Sequence, residues 1–313
     1  MARIPRTDLD VFPLTLGGNT FGWTSDRDES FAVLDAFVAA GGNFIDSADL
    51  YSVWAEGHTG GESEKVLGEW MAARGNRADV VIATKVGGLP TRPGLSKENV
   101  EAALTESLDR LQTDYIDLYY AHYDDENVAI EDQVRTAHAL VESGRVRHLA
   151  LSNHSPERTR DFLETARRLE LTVPVAIQPQ YNLIHRKDYE QGYAPLVREF
   201  DLAVFPYFAL AAGFLTGKYR TASDLSGKDR EAMASGYLTD EGLAVVDELA
   251  EVADKRGVEP ATVALAWLLA KGVTAPIASA RVPEQLPALV AAVDLELDDD
   301  DVARLDAASA PFA

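Results

Sequence analysis

No cysteine occurs anywhere in the chain. Disulfides, thiolate nucleophiles and cysteine-ligated zinc or iron–sulfur centres are thereby excluded, and a reducing setting suits the composition. Positive charge is scarce as well: 29 Lys and Arg stand against 51 Asp and Glu, a formal charge of −22. An acidic excess of that size opposes binding to nucleic acid or to an anionic membrane surface. A polyanionic ligand would need basic groups gathered locally. No stretch reaches the ~18 uninterrupted apolar residues of a membrane span. The opening MARIPRTDLDVFPLTLGG also lacks the apolar run of a signal peptide. The expectation is a soluble, cytoplasmic protein.

What is present is a long alternation of two patterns. The 313 residues are 46% hydrophobic, enough for a large core and a normal length for one α/β barrel. Strand-like runs are expected over Leu14–Leu16, Asn43–Asp46, Val80–Lys85, Ile116–His122, Val146–Ser152, Val175–Pro179, Ala203–Tyr207 and Thr274–Ala278. Runs such as VVIATK and LAVFPY are near-continuously apolar, as in strands covered on both faces. Helical stretches are expected over Glu29–Ala40, Ser63–Arg74, Lys97–Leu111, Ile130–Ser143, Pro156–Glu170 and Tyr193–Phe200. Leu238–Arg256 and Thr262–Ala270 follow the seventh strand, and Val282–Ala292 the eighth. Gly41-Gly42, Gly144, Gly257 and Gly272 stand where helices need a left-handed stop.

Eight strand–helix units predict a single (β/α)8 TIM barrel, one domain over 1–313, with a doubly wound sheet as the alternative. The longest irregular piece, Ala211–Gly236, follows the seventh strand, where a long loop is more often functional than idle. Asp298–Asp301 is expected to open a final surface helix and lacks the glycine and spacing of a calcium loop.

In a barrel the chemistry sits at the C-terminal strand ends. Those ends carry Asp46, Lys85, His122, Ser152-Asn153, Gln178 and Tyr207 in turn. A lysine closing an apolar run needs a partner, because an unpaired buried charge is costly. Asp46, on the neighbouring strand, is the obvious one. A purely structural Asp–Lys pair would explain those two residues, but not Asp46, Tyr51, Lys85 and His122 together. Tyrosine ordinarily ionises near pH ~10. A cation ~4 Å away contributes about 4 kcal/mol at an effective dielectric of ~20, on the order of three pKa units towards the phenolate before desolvation opposes it. Lys85 would thus make Tyr51 a general acid, held by Asp46, while His122 orients a carbonyl oxygen. No side chain here is a credible nucleophile for the carbon, so a bound hydride donor is implied.

These residues carry a resemblance. FIDSADLYS, VVIATK and IDLYYAH, in that order, resemble the Asp–Tyr, lysine and histidine signatures of the aldo-keto reductases, from LTLGGNTFGW to the PEQL segment. The resemblance implies a barrel that uses NADPH/NADP+ to reduce aldehydes and ketones, with Asp46, Tyr51, Lys85 and His122 as its tetrad. The absence of GxGxxG suits a reductase without a Rossmann fold. By the same resemblance Thr20, Ser152, Asn153 and Gln178 are cofactor-binding, the last three at the nicotinamide carboxamide. Tyr207 resembles the aromatic that stacks on the nicotinamide ring. YFALAAGFLTGKY resembles the strand-seven loop, so Leu210, Gly213 and Lys218 cover the pyrophosphate.

Two departures stand out. Phe208 and Ala209 replace the usual Ser-Pro, removing a hydroxyl contact. In IASARVPEQLPALV, Ser279 replaces a glycine and Ala288-Leu289 replace the Glu-Asn pair that meets the adenine. Arg281 and Gln285 remain, and Arg281 suits a 2′-phosphate. Lys218, Arg220 and Arg281 would supply the local basic groups that an acidic chain needs. NADPH is therefore expected over NADH, with weaker adenine contacts than usual.

The substrate side is expected to be walled by Trp23, Trp54 and Tyr123, an aromatic mouth for small or medium carbonyl compounds. GHTGGESE, residues 57–64, is read as the entry to a helix capped by Glu62 and Glu64. The chain stops soon after its last helix, which suggests an open pocket and broad specificity. A cofactor-binding regulatory protein of the channel β-subunit type, with little turnover, stays open as an alternative. A barrel hydrolase is the other. It lacks an HxH pair, since His58, His138, His148, His154 and His185 are scattered and read as surface or loop residues. It also lacks a second well-placed carboxylate, and no metal is expected. A homo-oligomer is possible but not legible.

Overall fold

The computed structural model describes residues 1–227 and 231–313. Among these, strands β1 (Ala2–Arg3) and β2 (Asp10–Val11) form a short antiparallel hairpin. The strands that follow are β3 (Thr15–Gly17), β4 (Phe44–Asp46), β5 (Val81–Val86), β6 (Ile116–Ala121), β7 (Val146–Ser152), β8 (Ala176–Gln178), β9 (Ala203–Val204) and β10 (Ile277–Ala278). They make one eight-stranded parallel sheet in the order β10-β3-β4-β5-β6-β7-β8-β9. The sheet curls, and the chain at its two ends is hydrogen-bonded: Thr274 N–H to Val204 O and Ile277 N–H to Pro206 O, each 3.0 Å.

Helices α1 (Arg27–Ala39), α2 (Glu62–Arg74), α3 (Lys97–Leu111), α4 (Ile130–Glu142), α5 (Pro156–Arg168) and α6 (Ala194–Phe200) alternate with the strands. After β9 come α7 (Ala222–Leu225), α8 (Glu231–Ala234), α9 (Asp240–Arg256) and α10 (Pro260–Ala270). After β10 come α11 (Leu286–Val290) and α12 (Asp299–Ala308). Their starts are set by caps: Asp26 and Glu29 form a capping box on α1, Ser96 caps α3, Ser155 precedes the Pro156 that opens α5, and Asp298 caps α12.

The apolar residues divide into two sets. One lies between the sheet and the helices. The other lies on the opposite face of the sheet and contains Phe44, Val81, Ala83, Leu118, Tyr120, Ala150, Ala176, Ala203 and Phe205. These recur at every second position, as strand geometry requires. One further step along each strand gives Asp46, Lys85, His122, Ser152, Gln178 and Tyr207. A single two-residue periodicity thus brings the strand-end polar residues to one mouth. At the other end Ile4, Leu9 and Val11 of the hairpin join the inner set. The Asn43 side chain, just before β4, bonds Phe12 N–H and Asp10 O and holds the hairpin there.

Several elements differ from the expected pattern. β9 ends at Val204 rather than Tyr207, because Pro206 has no N–H to give the ladder, although Phe205 and Tyr207 still bond Ile177 O and Pro179 O. Pro276 shortens β10 in the same way. The hairpin is not foreseen by the periodicity at all. Ala211–Gly236 is largely ordered, with a 3₁₀ segment over Ala211–Thr216 and the short helices α7 and α8, while residues 228–230 of it lie outside the described residues. In the GHTGGESE segment Gly61 is the cap of α2. Glu62 reaches back to Thr59 N–H, but Glu64 is fully buried and faces α3 instead. His154 is also buried, not a surface residue, with Nδ1 2.8 Å from Ser152 O.

Candidate active site

Parallel pairing sets Asp46 opposite Ala83, two positions before Lys85 on the same face of β5. Lys85 is fully buried, and its Nζ spends all three donors at short range. It bonds Asp46 Oδ2 at 2.6 Å, Ser47 O at 2.6 Å and Tyr51 Oη at 2.8 Å. Tyr51 Oη in turn donates to Asp46 Oδ2 at 2.9 Å. The other carboxylate oxygen of Asp46 accepts from Gln178 Nε2 at 2.9 Å. The buried ion pair is thus satisfied on both sides, the condition under which such a pair is tolerable.

The electrostatics run differently from the sequence-based expectation. Burial first, then the Asp46 charge and its hydrogen bond, push the Tyr51 hydroxyl well above the usual tyrosine range. Lys85 does not reverse this, because Asp46 already neutralises much of its charge at 2.6 Å. The Lys85 ammonium is itself held lower than usual by burial, with Asp46 pulling the other way. The Tyr51 hydroxyl therefore keeps its proton at neutral pH and is not pre-ionised.

His122 is buried at the end of β6, its ring 6.4 Å from that of Tyr51 and stacked on Tyr123 at 4.6 Å. Burial, then the Lys85 charge, hold its pKa well below the ordinary histidine value, so the ring is neutral. Its Nδ1 is buried with no hydrogen-bond partner. An orphaned acceptor is the cheaper arrangement, which puts the proton on Nε2.

Of the residues expected at a cofactor, Ser152, Asn153, Gln178 and Tyr207 are linked to this group by hydrogen bonds. Asn153 has a left-handed backbone (φ 51°); its amide donates to His122 O at 2.9 Å and accepts from Tyr207 Oη at 2.9 Å. Burial raises the Tyr207 hydroxyl to about 12. Ser152 Oγ donates to Gln178 O at 2.9 Å. The strand-seven loop turns through left-handed backbone at Phe208, Ala211, Ala212 and Gly213. A side chain on Gly213 would meet Lys218 Nζ at 3.2 Å, so this glycine is what lets the ammonium approach the loop. Leu210 O accepts from Gly213 N–H. Thr20 Oγ1 donates to Ala280 O at 3.2 Å, tying the first loop to the segment after β10.

In that segment Gln285 Oε1 accepts from Arg281 N–H at 2.7 Å, and both residues are exposed. Leu289 is buried in the core, so it offers nothing to an adenine. Ser279 Oγ donates to Asn19 Oδ1, and Arg220 is engaged by Asp247. At the mouth, Trp23 and Trp54 meet edge to face at 5.4 Å. Trp54, Tyr123 and Phe208 are among the few large hydrophobic side chains left exposed, at 47%, 46% and 39%. Phe208 joins this aromatic rim through Tyr207, 5.3 Å away. Its role on the rim was not foreseen, since the sequence marked it only as a lost hydroxyl.

A model of the Aldo/keto reductase family matches residues 13–310. The chain is 31% identical to the Escherichia coli (strain K12) protein Tas over 97% of this chain and 96% of that protein. It is 33% identical to a norsolorinic acid reductase of Emericella nidulans, over 96% of this chain and 79% of the other. It is also 33% identical to a probable voltage-gated potassium channel subunit beta of Oryza sativa subsp. japonica, over 85% and 82%.

Proposed function

The chain belongs to the aldo/keto reductase family, an oxidoreductase family, and from that premise we propose that it reduces an aldehyde or ketone to an alcohol with NADPH. The observation that carries the proposal is the Asp46–Lys85–Tyr51 cluster, in which one phenol is held by an ammonium at 2.8 Å and a carboxylate at 2.9 Å. We read the whole chain, 1–313, as one domain and its sheet as a closed (β/α)8 barrel. The bonds from Thr274 and Ile277 to the β9 chain support that closure.

In this reading the residues named below would hold a nicotinamide cofactor, whose chemistry would be that of a hydride donor. Tyr51 supplies the proton to the carbonyl oxygen, and Lys85 stabilises the phenolate left behind. Asp46 holds Lys85. The neutral His122 orients the oxygen through Nε2–H. Ser152, Asn153 and Gln178 hold the carboxamide, with Gln178 using its Oε1 because Nε2 is committed to Asp46. Tyr207 would flank the nicotinamide ring. Leu210, Gly213 and Lys218 cover the pyrophosphate, and Lys218 against Gly213 is the feature that fits an anion. Arg281 meets a 2′-phosphate, with Gln285 fixing its backbone and Thr20 the adjoining loop.

Trp23, Trp54, Tyr123 and Phe208 form the rim that receives the carbonyl compound, and aromatic or branched acceptors suit it best. The acidic surface argues against a nucleic-acid partner. Among the described residues no helix is long and apolar enough to cross a membrane. We place the protein in the cytoplasm.

A second reading, a cofactor-binding regulatory protein with little turnover, draws on the relative named as a channel β subunit. NADPH consumption with an activated aromatic aldehyde separates the two. Turnover supports the reductase, and tight cofactor binding without turnover on any carbonyl supports the regulatory reading.

A further inference from the structure

The chain after β9 breaks the alternation that organises the rest of the mouth. Val204 packs on the helix side of the sheet and Phe205 on the inner face, and Tyr207 is the next inner position. Continued for one more residue, strand geometry would turn Phe208 to the side of Val204, where large apolar side chains are buried. Instead Phe208 takes a left-handed backbone, φ 52°, and its side chain is exposed. That backbone region is unfavourable for a bulky residue, and a phenyl ring left in water forgoes its burial. An exposed apolar ring alone would be unremarked; here it is exposed by means of a strained turn.

The turn is fixed from two directions. Phe208 O accepts from Asn182 Nδ2 at 2.8 Å and from Ala211 N–H at 2.7 Å. Asn182 is fully buried, and its Oδ1 accepts from Ile184 N–H at 2.9 Å. Turning that amide over would set acceptor against acceptor and donor against donor, so its orientation is fixed. Strain that the surroundings over-determine in this way gathers at functional positions. The ring so placed meets Tyr207 with centroids 5.3 Å apart and planes at 69°. Phe208 is exposed and Tyr207 half-buried, so the two rings form a corner on the open side of the loop. A flat ring can lie on one face of such a corner and meet the edge of the other, the arrangement that aromatic groups prefer. A puckered, saturated ring cannot. The other rings of the mouth already pair among themselves, Trp23 with Trp54 and Tyr123 with His122.

We propose that Phe208 is the specificity-determining residue of the mouth: with Tyr207 it makes an aryl-binding corner that selects carbonyl compounds carrying flat, fused aromatic rings over their saturated counterparts. The proposal rests on the reading of this mouth as the site of carbonyl reduction, and it assigns the substrate class to one side chain. Because Tyr207 would flank the nicotinamide ring, an aryl group resting on Phe208 lies beside the place where the carbonyl must come. Phe208 acts on binding and orientation alone and takes no part in proton transfer from Tyr51.

The test compares wild type, Phe208→Leu and Phe208→Tyr on two aldehydes of one carbon skeleton, 2-naphthaldehyde and decahydronaphthalene-2-carbaldehyde. The readout is the ratio of their kcat/KM values, so that the intrinsic reactivities of the aldehydes cancel when proteins are compared. Phe208→Leu keeps apolar bulk without a ring and is expected to lower the aryl-to-saturated ratio about threefold to tenfold, the worth of one aromatic pair. Phe208→Tyr keeps a ring and is expected to retain the ratio. An unmoved ratio in folded Phe208→Leu overturns the proposal, and so does an equal fall in both values, which would make Phe208 a support of the loop. If wild type reduces neither aldehyde, the reductase reading fails, and isothermal titration with 2-naphthylmethanol decides on Phe208 by itself. Weaker binding by Phe208→Leu than by wild type then sustains the aryl corner. Equal binding, or none to either, overturns it.

Discussion

The Lys85 ammonium lies 2.6 Å from the Asp46 carboxylate and 2.8 Å from the Tyr51 hydroxyl, so one buried cation joins the anion of β4 to the phenol of the following loop. Asp46 is therefore a structural residue, apart from its part in the proposed reaction. Asp46→Ala would leave Lys85 buried without its counter-charge, a loss of about 3–5 kcal/mol. Asp46→Asn keeps the shape and is expected to lose less. Urea unfolding of the two variants measures the difference, and equal stability to wild type for Asp46→Ala would contradict the buried pair.

His122 is held neutral by burial and by the Lys85 charge. The rate of reduction should therefore show no limb near the ordinary histidine value of ~6.5. A limb there that disappears in His122→Gln would show that the ring takes up a proton in the working range.

Asp49 carries a second pH signature. Its folded value, about 7, lies above the unfolded 3.8. The folded state thus holds a proton that the unfolded state releases between those values. Its stabilising contribution is complete below the unfolded value and is lost as pH rises through about 7. The upper bound is on the order of 4 kcal/mol. Urea midpoints should fall as pH rises from the unfolded value of 3.8 to about 7, and Asp49→Asn should flatten that fall.

Gly68 sets the approach of α2 to α3. A Cβ there would sit 2.1 Å from Arg110 O, a backbone atom that cannot swing away. Gly68→Ala raises helix propensity by up to about 1 kcal/mol. The clash costs about 1–3 kcal/mol and parts the Glu64–Arg110 bond. Net destabilisation in a thermal melt is the expected result.

Arg281 is the residue assigned to the 2′-phosphate. Arg281→Ala should weaken NADPH binding about tenfold or more, the worth of hydrogen bonds between charged groups, and leave NADH binding unchanged. Isothermal titration with both cofactors checks this. Equal weakening of both would mean that Arg281 serves the loop rather than the phosphate.

The features legible in the sequence were those written in short periodicities. Lys97–Leu111 is a helix with the expected ends because Ser96 caps it and its apolar face repeats regularly. Asp46, Lys85 and His122 were identifiable because each closes an apolar run. The hairpin was not, since two-residue strands carry no period. The two late strands are shorter than their apolar runs suggest, because Pro206 and Pro276 fall inside runs that otherwise read as continuous. Glu64 looked like a cap from its place at the start of α2, and only the arrival of Arg110, 46 residues on, shows it to be a buried ion pair. The direction of the Tyr51 shift depended on how much of the Lys85 charge Asp46 takes, which is a matter of ångströms and not of spacing along the chain.

In the proposed reaction Tyr51 gives the proton. The most direct test of this is the rate of NADPH oxidation with an activated aromatic aldehyde, wild type beside Tyr51→Phe, both shown to be folded and to bind NADPH. Turnover by wild type and its near-complete loss in Tyr51→Phe is the predicted result. Equal turnover by the two proteins would contradict it.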